Sequence, residues 1–174
     1  MGTIVWLLLG ISAPQAESTV RTVPRVDLTR YAGEWFEVAR FPNRFQRDCA
    51  GDVTARYAMR SDGRIDVTNR CRLADGSFKE AQGVARIVDT ATSAKLEVRF
   101  APAFLSFLPF VWGDYWVIGL APDYSWAVVG SPDREYLWVL SRSKVLATTP
   151  YDAAIAAAKA SGFDTARLVA TTQR

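Results

Sequence analysis

The chain of 174 residues carries 21 Lys and Arg against 18 Asp and Glu, and 49% of its residues are hydrophobic. At that length the expectation is one domain with a substantial core, and a net charge of +3 spread along the chain argues against a dedicated nucleic-acid surface. The sequence contains no histidine, which excludes Ser-His-Asp and Cys-His catalysis, histidine-ligated zinc and imidazole pH switching. Its two cysteines cannot build a four-thiolate metal site, and no cofactor is expected. Six Trp, six Tyr and nine Phe point to a large apolar interior or a lined cavity.

The first apolar run, Ile4 to Ile11, is too short to span a bilayer, which takes about 20 residues. With the small residues Ser12, Ala13 and Ala16 behind it, the segment 1–16 reads as a secretory signal or, if retained, an N-terminal anchor. No cysteine stands near residues 10–20 to carry a lipid. A periplasmic or secreted location follows, where Cys49 and Cys71 are free to join. Residues 17–26 form a lead-in, and 27–172 form the domain.

Asp27 to Tyr31 reads as a short helical turn ending near Gly33. A strand follows from Trp35 to Phe41 and is broken by Pro42-Asn43. Val53 to Met59 and Arg64 to Arg72 flank Ser61-Asp62-Gly63, a hairpin signal, and Ala74-Asp75-Gly76 turns the chain into a strand from Phe78 to Val88. Ala94 to Phe100, Tyr115 to Ala121, Trp126 to Gly130 and Tyr136 to Arg142 complete eight strands with no helix between them. Short turns and alternation of period 2 predict an antiparallel up-and-down meander, and closing it into a barrel removes its exposed edges. The one clear helix is Pro150 to Ser161, with Thr149 as N-cap, Pro150 at the first position and Gly162 as the stop. Its face of Tyr151, Ile155 and Ala158 suits packing outside the barrel, and Arg167 to Ala170 returns as a ninth strand.

Gly33-Glu34-Trp35 resembles the first lipocalin motif, Pro122-Asp123-Tyr124 the second with proline in place of threonine, and Trp138-Val139-Leu140-Ser141-Arg142 the third. They occur in the family's order, and the similarity, which is close to the bacterial outer-membrane lipocalin and apolipoprotein D branch, covers about residues 25–172. The fold this implies is the all-β, eight-stranded lipocalin barrel with one C-terminal helix outside. The resemblance also implies that Trp35 plugs the closed end with Arg142 across its ring, a contact worth about 0.5–2 kcal/mol, and that Gly33, Trp35, Asp123, Tyr124 and Arg142 are structural. Trp138 and Tyr57 match cavity-lining positions of that branch.

If the first strand starts at the closed end, alternate connections gather at an open mouth. One of them, Ala101 to Trp112, is apolar apart from Ser106. It is read as a lid over the barrel, as a cavity lining, or as an exposed patch for a membrane or a second subunit. A tight hairpin sets Cys49 opposite residue 75, so a Cys49–Cys71 disulfide needs the chain to bend near Ala50-Gly51; two free thiols are the alternative. Phe41 and Phe104 are expected at the mouth. Arg56 or Arg99 is the candidate for a phosphate or carboxylate head group, against a solvated outer face for each.

The function expected is binding, storage or transport of fatty acids or lysophospholipids for envelope membrane maintenance, with no catalysis. Peripheral contact with the outer membrane and a homodimer stay open as partners. A lipocalin-like enzyme of isomerase or epoxidase type, using Glu37, Asp123 and Tyr124 as acid–base groups, is the alternative, and a secreted protein with a filled barrel is the third.

Overall fold

A computed structural model describes residues 19–174; the segment read as a signal, 1–16, lies outside them. The helical turn α1 (Leu28–Tyr31) is nucleated by Asp27, whose carboxylate accepts from the Thr29 and Arg30 amides at 2.9 and 3.3 Å. Eight strands follow: β1 Gly33–Arg40, β2 Gly51–Met59, β3 Ile65–Arg72, β4 Phe78–Ile87, β5 Lys95–Arg99, β6 Gly113–Leu120, β7 Trp126–Gly130 and β8 Leu137–Ser141. Each pairs antiparallel with the next, and β1 pairs with both β2 and β8, so the sheet closes on itself as an eight-stranded barrel. The short β9 (Val169–Ala170) lies beside the second half of β1.

Helix α2 (Thr148–Ala160) follows the barrel and begins two residues earlier than the sequence suggests. Ala147, not Thr149, holds the extended cap position, and Pro150 falls third in the first turn, where no helical hydrogen bond needs its missing N–H. The helix ends as expected: Phe163 N donates to Ala158 O and Gly162 N to Lys159 O, at 3.1 and 2.9 Å. Its inner face is made by Ala154 and Ala158, with Tyr151 and Ile155 beside them. This face comes close to the sheet because β6 and β7 present glycines. A Cβ on Gly119 would meet Ala157 at 2.8 Å, and one on Gly130 would meet the Phe163 ring at 2.5 Å.

Two apolar clusters result, one inside the barrel and one between barrel and helix. Trp35, Tyr57, Ile65, Val67, Ala85, Leu96, Val117 and Leu140 belong to the first; Ala39, Phe41, Val128, Leu137, Val139 and Phe163 belong to the second. Strict alternation from Trp35 would keep Ala39 inside, but the β1–β8 register shifts between Glu37 and Ala39. This bulge turns Ala39 and Phe41 outward. A second bulge between Val117 and Gly119 likewise aims Gly119 at the helix.

Cys49 and Cys71 form a disulfide, with Cα atoms 5.6 Å apart. The β2–β3 register shifts between Gly51 and Thr54, so that Gly51 faces Arg72 and the Ala50 amide reaches Arg72 O at 2.7 Å. That bend brings residue 49 to the level of 71 rather than 75. Toward the mouth β1 and β2 part company, since their pairing covers only Gly33–Phe36 against Thr54–Tyr57. Residues 171–174 fill the gap. Thr171 N donates to Val38 O, Asp52 N to Thr172 O, and the Gln173 amide to both Glu37 O and Val53 O at 2.8 and 2.9 Å.

Candidate ligand-binding barrel

Arg142 braces the closed end. Trp35 is fully buried and its indole N–H donates to Tyr31 O at 2.8 Å. The Arg142 guanidinium sits 3.8 Å from the Trp35 ring centroid. Its Nη1 donates to Glu34 O and its Nη2 to the carbonyls of Arg30, Tyr31 and Ala32, all within 2.7–3.0 Å. These carbonyls belong to α1 and its exit, so a single side chain ties the helical turn to the start of β1.

Above this plug lies a chain of phenols. Tyr31, Tyr115 and Tyr57 are joined oxygen to oxygen at 2.8 Å each. Three hydroxyl protons serve two links, so one terminal phenol keeps an unspent donor. Burial, the largest cause, pushes Tyr57 up to about 12 and holds Tyr31 and Tyr115 well above the usual tyrosine range. Unfolded tyrosines ionise near pH 10. The stabilisation from keeping these phenols neutral is therefore complete below about pH 10 and is lost as pH rises through about 12. Thermal melts across that window should fall steeply, with three of the six tyrosines forming phenolate absorbance only as the chain unfolds.

Midway up, the wall made by β2, β3 and β4 turns small residues inward. Ala55, Asn69 and Ala81 stand across from one another, with Gly83 next along β4 in phase with the buried Ala85. A Cβ on Gly83 would lie 2.8 Å from the Phe100 ring, which places that ring on the inner side at the mouth. Asn69 Oδ1 is buried with no hydrogen-bond partner, an acceptor left over on an apolar wall. Ala55, Asn69, Tyr115 and Trp138 are only partly buried although they share the inward phase of the inner cluster.

Near the mouth the β1 bulge puts Glu37 and Arg40 on the same side, paired at 2.8 Å. Glu37 also accepts from Gln46 Nε2 and Thr171 Oγ1, each at 2.5 Å, and Arg40 Nε is buried without a partner. Gln46 Oε1 accepts from Trp138 Nε1 at 2.9 Å, and the Trp138 ring stacks on Tyr136 at 5.8 Å. A neutralised ion pair and a tryptophan thus share one network.

Of the residues singled out from sequence, Tyr57 and Trp138 face the interior. Phe41 does not: beyond the bulge it packs on Phe163 in the outer cluster, with Arg167 over its ring at 4.5 Å. Phe104 lies at the mouth end but points to solvent. Arg56 is exposed on the outer face, out of phase with the inward Tyr57. Arg99 is buried on the outer side instead, donating to Ala101 O beneath Trp112. Asp123 accepts from Ser125, and the Tyr124 hydroxyl accepts from Asp27 N at 2.8 Å, both in the closed-end loops and away from Glu37. The acid–base trio considered from sequence is not assembled. The residues missed are Asn69, Arg40 and Phe100. Asn69 was legible as the one amide in phase with Ile65, Val67 and Cys71, whereas Arg40 was hidden by the bulge.

Residues 26–173 match the Lipocalin-like domain family. The chain belongs to the lipocalins. It is 38% identical over 156 residues to Temperature-induced lipocalin-1 of Arabidopsis thaliana, covering 88% of this chain and 83% of that one. To Outer membrane lipoprotein Blc of Escherichia coli K12 it is 36% identical over 168 residues, 96% and 90% of the two chains. Among solved structures, insecticyanin from the tobacco hornworm superposes with a TM-score of 0.69 at 23% identity, covering 93% and 88%, which supports the fold. As a lipocalin the chain has a general lipid-binding and transport role.

Proposed function

We propose that this lipocalin carries fatty acids or lysophospholipids within the bacterial envelope, in membrane maintenance. The observation that supports the reading is the inward wall of small residues, Ala55, Asn69, Ala81 and Gly83, above an aromatic floor, in a barrel of eight strands, the size that holds one small ligand. Ten buried methylenes contribute about 8 kcal/mol before entropy losses, so an acyl chain suits the site better than a small polar metabolite. The chain enters tail first. The arginine on the inner side, Arg40, stands near the mouth with Glu37 as its counter-charge, and its unpartnered Nε suits a phosphate or carboxylate oxygen there. Asn69 Oδ1, deeper in, accepts from a hydroxyl where the ligand supplies one. The similarity to an outer membrane lipoprotein supports an envelope location with peripheral membrane contact.

Titration with a long-chain lysophospholipid, followed by tryptophan fluorescence and calorimetry, tests this. Saturable one-to-one binding with unchanged lipid recovered afterwards is expected. Absence of any response to lysophospholipids and fatty acids overturns the reading in favour of a filled barrel, and a chemically altered lipid overturns it in favour of an enzyme.

A further inference from the structure

The barrel wall is not continuous between β1 and β2. Their pairing stops at Phe36 and Thr54, so residues 37–40 and 51–53 have no ladder partner in each other. Residues 171–174 bond to both sides of this seam. Thr171 N donates to Val38 O at 3.0 Å on the β1 side, and Asp52 N donates to Thr172 O at 2.8 Å on the β2 side. The Gln173 side-chain amide spans the seam, donating to Glu37 O and Val53 O at 2.8 and 2.9 Å. Glu37 and Val53 are buried, and Val53 shares the inward phase of Ala55 and Tyr57. The inner side of the barrel mouth therefore lies directly behind these four residues.

The seat beneath them is shaped for an extended segment. Gly51 has φ +153°, and a Cβ there would lie 2.6 Å from Thr172 O. The Asp52 carboxylate accepts from Arg72 Nε and from Arg174 N, each at 2.6 Å. The Cys49–Cys71 disulfide and the bond from Ala50 N to Arg72 O hold this corner of β2 on β3. The segment itself has no apolar anchor. None of residues 169–174 belongs to either apolar cluster, and Val169, Ala170, Thr172 and Arg174 are exposed. A surface segment held by hydrogen bonds alone opens at a cost well below that of global unfolding.

We infer that residues 171–174 are a releasable strap over a side gate of the barrel, and that its opening sets how fast a bound lipid enters and leaves. The inference rests on the carrier reading and names how that site is regulated. Opening the strap breaks no β1–β2 ladder bond, and the barrel stays closed through Gly33–Phe36. The strap is also wired to the head-group position. Thr171 Oγ1 donates to Glu37 Oε1 at 2.5 Å and accepts from Arg40 Nη1 at 3.1 Å. A phosphate or carboxylate arriving at Arg40 competes for that Nη1 donor, so the ligand loosens the strap that it has to pass.

Hydrogen exchange of the lipid-free protein tests the strap. The Asp52 and Thr171 amides should exchange together and well before the amides of β7, which follow global unfolding. Two variants then act on the strap from opposite sides: Gln173→Leu removes both bridging donors, and Gly51→Ala crowds Thr172 O. In each, the rates of lysophospholipid association and dissociation, read by stopped-flow tryptophan fluorescence, should rise about tenfold with the dissociation constant held within about twofold. Strap amides that exchange only on global unfolding overturn the inference. Lipid rates unchanged in variants whose strap amides have lost protection overturn it as well. A fall in affinity at an unchanged association rate does the same, because the strap would then be part of the binding surface. Failure of the carrier reading shows separately, as no lysophospholipid bound by any of the three proteins while the strap amides still exchange early.

Discussion

Replacing Arg142 with alanine should lower the unfolding free energy by about 3 kcal/mol and the melting temperature by about 6–12 °C for a chain of this size. The guanidinium makes a ring contact worth about 0.5–2 kcal/mol and four hydrogen bonds, each charge-assisted on the donor side. Water recovers part of this because the site is half open, so the sum of the separate contacts overstates the loss. Lysine should restore less than half, since one ammonium cannot reach four carbonyls and cover a ring together. Denaturant melts of the three proteins decide it. A loss under about 1 kcal/mol for the alanine variant would mean that Trp35 seals the closed end by packing alone.

The second large effect is on the ligand. Ala81 points inward on β4 opposite Asn69, where the wall is made of small residues. A tryptophan there should displace about three methylenes of a bound chain, roughly 2.4 kcal/mol or fiftyfold in affinity. The neighbouring Gln82 points outward, so Gln82→Trp should leave affinity unchanged. Calorimetric titration of both variants with one lysophospholipid separates the cases. Equal affinities would place the ligand elsewhere than along this wall.

The strands were legible because their alternation and the turns at Asp62-Gly63 and Asp75-Gly76 are local signals, and the structure differs from the reading by only one or two residues at most strand ends. The helix start was missed because Ala147 takes the cap position on backbone geometry alone, with no side-chain oxygen to announce it. In the barrel, Tyr57 and Trp138 could be placed from their resemblance to known lining positions. Phe41 could not, because one extra residue at the β1 bulge reverses every side chain beyond it. The same reversal put Arg40 inside while attention fell on Arg56 and Arg99. For the Ala101–Trp112 connection, composition left lid, lining and exposed patch all open, and the exposure of Phe104, Phe107 and Phe110 in the folded chain favours the last.

The sequence by itself determined a closed antiparallel barrel, the outer helix and the absence of histidine chemistry, because each follows from periodicity, turn residues or composition, and its three motifs carried the family resemblance. Which arginine stands inside, how the 171–174 tail fills the seam between β1 and β2, and that Phe41 packs outside the barrel were decided only in three dimensions. Bulges and loop closure set side-chain direction through backbone pairing between residues far apart in the chain, and no local pattern records that pairing.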